Sequence, residues 1–215
     1  MDEKQVARAL LSRHGRTFAE DAGIALKDKP SPLWQLLVLS LLLSARISAG
    51  IAVAAARELF RAGYRTPEKM RDASWQQRVD ALGRGQYRRY DERTATQLGE
   101  LAGAVIGEHG GDLRSLHGPS VAELEKKLQE FKGIGPTGAA IFCREVQGVW
   151  PDVAPYVDKR AADGAERLGL PRSPDRLAAL VPPEDFPRLV AGCVRAASDK
   201  RIVDDIRSDP LTARY

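Results

Sequence analysis

LQEFKGIGPTGAAIFC, residues 128–143, reads as one helix ending at Phe131, a turn through Gly133-Ile134-Gly135, and a second helix opening near Pro136. Two glycines flanking one apolar residue let the backbone turn tightly while Ile134 plugs the gap between the helices, and proline suits a first helical turn that needs no N–H. Such a turn aims free backbone amides outward at a helix N-terminus, which is an anion site; for a basic chain the natural anion is a nucleic-acid phosphate. Gly-x-Gly alone equally describes a helix-helix corner with a glycine C-cap, so the context decides.

Moving upstream, Ser120-Val121-Ala122-Glu123 matches a capping box and starts the first of these two helices. Before it, a long helix spans about Asp91 to His109 and stops at Gly110-Gly111. Gly83 to Tyr90, rich in glycine, arginine and tyrosine, is a loop that either touches a phosphate backbone or is simply solvated. Thr66-Pro67-Glu68 and Ser74-Trp75-Gln76-Gln77 each cap a short helix. Leu33 to Ser44 is almost wholly apolar and requires a helix surrounded by others. Arg46-Ile47-Ser48 follows as a polar turn into a helix over Ala49 to Ala62; Arg46 either interacts with a helix C-terminal dipole or faces a ligand. Asp28-Lys29-Pro30-Ser31-Pro32 breaks the chain and reads as a linker, preceded by a short amphipathic helix over residues 3–13.

Downstream, Gly148 to Val157 has two prolines and no periodicity, an ordered loop ending at Asp158-Lys159-Arg160. Helices follow over about Lys159 to Leu168, after Ser173-Pro174, and from Glu184 to about Lys200. Residues 201–215 read as a polar tail. No segment alternates as a strand does, and no repeat is evident. The chain is expected to be all-α, with about ten helices.

The composition is compatible with this and excludes several classes. At 215 residues with a net charge of +4, the chain can bury a real core and suits an anionic partner without demanding one. Cys143 and Cys193 lie far apart without metal-ligand spacing, which argues against a disulfide framework or a cysteine-ligated cluster and suits a reducing cytoplasm. The N-terminus has no signal-peptide pattern, and the apolar run Leu36 to Ala45 is too short to span a bilayer.

A buried Leu-Leu-Ser-Ala helix, a series of capped helices, Leu-x-x-Phe-x-Gly-Ile-Gly-x-x-x-Ala, then a proline-containing loop ending in Val157-Asp158, together resemble the helix-hairpin-helix DNA glycosylases, the endonuclease III and alkyladenine glycosylase superfamily. The similarity covers residues 31 to about 200 and is densest over Leu42 to Arg46, Phe131 to Arg144 and Val157-Asp158. It implies an all-α fold of two lobes with the active-site cleft between them. One lobe is a central bundle, 31–150, ending in the hairpin motif at about 120–147; the other is formed by 1–30 with 151–215. It implies double-stranded, damaged DNA as the partner of a cytoplasmic or nucleoid-associated monomer. Lys132, Gly133, Ile134, Gly135 and Thr137 would hold the phosphate backbone, with Na+ or K+ on the carbonyls near Gln129, Phe131 and Ile134. Asp158 would be the catalytic carboxylate and Arg46 the residue that fills the gap left by a flipped base. Asp158 is also well placed to cap the helix that begins at Lys159, a role compatible with catalysis. Trp150 and Tyr156 either stack on the flipped base or pack their loop. Cys143 is expected in the core.

The departures are as informative. Thr137 stands where bifunctional members carry a Schiff-base lysine, so strand cleavage by that lysine is ruled out. Lys132 and Lys159 are the substitutes at hand, each better explained as a phosphate contact or solvated charge. The four-cysteine iron-sulfur motif is missing. The expected activity is therefore hydrolysis of an N-glycosidic bond by a monofunctional glycosylase; an inactive DNA-binding paralogue and a helical protein-interaction module are the alternatives.

Overall fold

The computed structural model describes residues 2–208. Their regular elements are all helices, with no strand among the described residues, and they fall into two compact units: Ala19–Val149, and the N-terminal segment through Phe18 joined by the chain from Trp150 onward. The first helix, α1 (Glu3–His14), belongs to the terminal unit, and the chain crosses into the central one within α2 (Phe18–Asp21). Residues 19–30, expected in the terminal lobe, thus belong to the central unit. Ala19, Ala22 and Ile24 are buried there, and the Ala19 amide donates to the buried Glu145 carboxylate at 2.8 Å. The expected linker at 28–32 is absent too: α3 (Pro30–Ser44) begins inside it, using its prolines in the first turn.

The central unit is organised on α3, whose residues from Leu33 to Leu42 are all buried. A helix apolar all round must be enclosed, and α4 (Ala49–Arg61) and, later in the chain, α9 (Pro136–Val146) pack on it. Burying each such leucine contributes about 1.5–3 kcal/mol, and Ser40, in the middle, satisfies its hydroxyl on the Leu36 carbonyl at 2.8 Å. Two short capped helices follow, α5 (Pro67–Asp72) and α6 (Trp75–Arg84), and both pack on the long α7 (Asp91–His109). The Ser74 capping box forms in full. Ser120 caps α8 (Val121–Glu130), but Glu123 does not return the bond; its carboxylate instead pairs with Lys127 at 3.1 Å.

In the terminal unit, α10 (Lys159–Arg167) and the short α11 (Pro174–Ala178) precede α12 (Phe186–Ser198), on which α1, α10 and the last helix, α13 (Lys200–Arg207), all pack. The expected helix from Glu184 to Lys200 divides at Asp199, whose side chain caps α13. Residues 200–207, read as part of a polar tail, are helical because Val203 and Ile206, three apart, bury one face among dense charge; residues 209–215 of that tail lie outside the described residues.

At the α1–α13 contact, Asp205 bonds Arg13 at 2.5 Å and the His14 ring at 2.9 Å. The His14 hydrogen bond, with the Arg13 charge beside it, holds the Asp205 carboxyl below the usual carboxylate range. A depressed folded value means that the contribution to stability is complete above the ordinary carboxylate range, near about 4, and is lost as pH falls through the lower folded value. Urea midpoints of Asp205→Asn and the parent are expected to differ at neutral pH and to converge in acid.

Candidate functional site

The hairpin is built from α8, the turn 131–135 and α9. Phe131 ends α8 with its ring buried and meets the His109 ring edge-on at 5.4 Å. Its carbonyl receives the Ile134 amide at 3.0 Å, closing the turn. Gly133, at φ +98, occupies the left-handed region that favours glycine, and a Cβ there would lie 3.0 Å from Gln97 Nε2 and 3.2 Å from Leu41 Cδ1. Gly135 differs: its φ of −92 suits any residue, and a Cβ would meet nothing within 4 Å. The expected symmetry of the two glycines is therefore absent; one shapes the turn and the other faces open space. Ile134 is buried, as its plug role requires, and seats on Gly138, where a Cβ would approach Ile134 Cγ2 to 3.3 Å.

This turn leaves donors without acceptors. The Gly133 and Gly135 amides have no acceptor among the described residues. Thr137, exposed in the first turn of α9, also lacks an intrahelical acceptor, as helix geometry dictates. The α9 dipole adds partial positive charge at the same end. The carbonyls of Gln129 and Ile134 accept no hydrogen bond among the described residues, and that of Phe131 keeps a lone pair beyond the Ile134 bond. These are hard oxygen donors of the kind an alkali cation takes. Among the described residues no cluster of His, Cys, Asp and Glu could hold a metal.

Lys132 extends from the turn with its side chain 75% exposed and its ammonium 2.8 Å from Glu100 of α7. Arg46, in the bend between α3 and α4, is exposed and makes no hydrogen bond or ion pair among the described residues. The Gly83–Tyr90 segment is held by Tyr87, which is buried, and leaves Arg88 and Arg89 exposed, with Arg89 over the Tyr90 ring at 5.2 Å. Arg84, at the end of α6, is engaged with Glu58 at 3.4 Å.

Asp158 lies in the terminal unit as the N-cap of α10. Its Oδ1 accepts the Ala161 amide at 2.9 Å, and the side chain is half-buried. Lys159 beside it is exposed and pairs with Asp163 one turn along at 2.6 Å. In the preceding loop, where the Ala154–Pro155 peptide is cis, Tyr156 is half-buried. Trp150 is not available as a stacking platform: it is 2% exposed, a large apolar side chain just ahead of a 3-10 turn at Pro151–Val153. Cys143 is in the core as expected, and burial pushes its thiol up to about 12. Two residues that adjoin the hairpin, Gln97 and Glu100, are not legible in the sequence, because α7 lies some thirty residues away and nothing local signals the approach.

The helices and the hairpin can be matched against known structures. A trapped endonuclease III–DNA covalent intermediate, an estranged-adenine complex, superposes on 90% of this chain and 85% of its own with a TM-score of 0.50 at 18% identity. The fold is that of endonuclease III. A non-covalent endonuclease III–DNA complex is similar over 88% of this chain and 85% of its own, with a TM-score of 0.46 at 21% identity. No family model and no curated protein matches the chain. The endonuclease III fold here is carried by a sequence with Thr137 early in α9 and two buried, unpaired cysteines. Among the described residues no helix is long and apolar enough to cross a membrane.

Proposed function

We propose that the protein is a monofunctional DNA glycosylase that hydrolyses the N-glycosidic bond of a flipped, damaged base. The observation that carries this reading is the hairpin turn, with the Gly133, Gly135 and Thr137 amides left without acceptors at a helix N-terminus within an endonuclease III fold. The trapped endonuclease III structure named above, which has that fold, is a DNA complex. In this reading the amides bind a backbone phosphate, Lys132 adds charge, and Arg46, unengaged in the free protein, fills the space vacated by the base. The Gln129, Phe131 and Ile134 carbonyls would hold Na+ or K+ and so fix the turn.

Cleavage of the bond leaves its electron pair on the departing base and develops oxocarbenium character at the sugar. The Asp158 carboxylate stabilises that charge and takes a proton from the attacking water as the new C–O bond forms. Its cap bond to Ala161 occupies one oxygen and orients the group. Tyr156 lines the base site; Trp150, buried, is left out of it. With Thr137 in place of a lysine and Lys159 paired to Asp163, no amine is assigned to attack the sugar.

The reading is tested by duplex binding across a salt series together with borohydride trapping. Affinity should fall steeply with salt, since phosphate neutralisation releases counterions, and borohydride should trap no protein–DNA adduct. Salt-independent binding would count against the hairpin model, and a covalent adduct would show that an amine nucleophile is present.

A further inference from the structure

The hairpin lysine is not a free charge. Lys132 Nζ is 2.8 Å from Glu100 Oε1, with the two side chains 75% and 39% exposed. The contact is not accidental to a long side chain, because α7 abuts the turn at a second point. Gln97, three residues earlier on the same helix and so on the same face, has its Nε2 where it would stand 3.0 Å from a Cβ on Gly133. The face of α7 that carries Gln97 and Glu100 therefore forms a wall beside the turn, and it brings a carboxylate to the one cationic side chain of the turn 131–135.

We propose that Glu100 sets the affinity of the hairpin for phosphate by competing for the Lys132 ammonium. This inference rests on the reading of the hairpin as a phosphate site. An exposed lysine-carboxylate pair in high dielectric is weak, so a phosphate held by the turn amides can take the lysine away. Binding is then an exchange, in which Lys132 leaves one anion for another and Glu100 is left unpaired close to a polyanion. Both effects lower the net gain from Lys132. A hairpin without Glu100 would bind any duplex more tightly. With it, the sequence-independent part of the affinity is held down, and the protein can leave undamaged DNA more readily while contacts to a flipped base are unaffected.

The test uses the full chain and a short fluorescein-labelled duplex without a lesion, titrated by anisotropy across a salt series. Glu100→Gln keeps the side-chain length and removes the charge. It is expected to tighten binding by about three- to tenfold at low salt and to steepen the slope of log affinity against log salt by up to about one. In a Lys132→Gln background most of that gain should vanish, because the competition needs both partners. No tightening on Glu100→Gln overturns the proposal. So does a gain of the same size in the Lys132→Gln background, which would assign Glu100 to general repulsion of DNA.

Thr137→Glu reports separately on the hairpin itself. A carboxylate in the first turn of α9 suits the helix dipole and should not harm folding, but it places negative charge where the phosphate would sit. If Thr137→Glu binds as the parent does, the hairpin reading fails whatever Glu100 does.

Discussion

Asp158→Asn is expected to lower the rate of base release by at least about a hundredfold, the lower end of what positioned acid-base groups contribute, while leaving the terminal unit folded. The substitution separates the observed cap of α10 from the proposed catalytic duty of the same side chain. Asparagine is as good an N-cap as aspartate, so its Oδ1 can still accept the Ala161 amide that Asp158 receives at 2.9 Å, and α10 should begin where it does now. The substitution removes the negative charge proposed to face the developing oxocarbenium and the proposed proton acceptor for water. Asp158→Ala removes both duties and should add a stability loss of about 1 kcal/mol. Single-turnover kinetics beside thermal melts would read the two effects apart. Full activity in the asparagine variant would remove Asp158 from the chemistry and leave it only as a cap.

Gly164→Ala should be the most damaging single methyl in the terminal unit. A Cβ at Gly164 would fall 1.8 Å from the Cys193 carbonyl oxygen, 2.6 Å from its carbon and 3.0 Å from the Ala197 nitrogen. All three are backbone atoms of α12, so no side chain can swing aside and the two helices must separate. Overpacking that forces backbone shifts costs about 1–3 kcal/mol and sometimes more, and α10 rests on α12 along much of its length, so a loss at or above the top of that range is expected. The same change at Gly103, in α7, would meet nothing within 4 Å and should stabilise by about 0.5–1 kcal/mol through helix propensity. Opposite shifts in melting temperature for these two glycine-to-alanine variants would confirm the close crossing; equal shifts would contradict it. Because α10 begins at Asp158, the Gly164 crossing also holds the proposed catalytic carboxylate in register.

The features readable in the sequence are those that local chemistry encodes. The turn at Gly133-Ile134-Gly135 and the proline that opens α9 carry their own punctuation, and α3 announces burial through ten successive residues that are all enclosed in the fold. The Ser74 and Asp158 caps are likewise set by neighbours within three residues. Features that depend on distant partners are not legible. Gly164 sits in an alanine-rich helical run where nothing marks the neighbour that forbids a Cβ. Trp150 reads equally as a base platform or as packing for its loop, and only the fold closing over it decides for packing. The boundary near Phe18 is masked by the prolines at 30 and 32, which punctuate a helix start as readily as a linker. Glu100 and Gln97 reach the hairpin only through the packing of the long α7 beside the turn.

A glycosylase differs from a protein that merely grips DNA in one product, the free base. The most direct measurement is therefore chromatographic detection of base after incubation with duplexes bearing 3-methyladenine, uracil, an oxidised pyrimidine or 8-oxoguanine. Release of base from at least one of these is expected, with the strand intact until hot alkali is added. Tight, salt-sensitive binding with no base released from any of them would contradict hydrolysis and would leave a DNA-binding protein on a glycosylase scaffold.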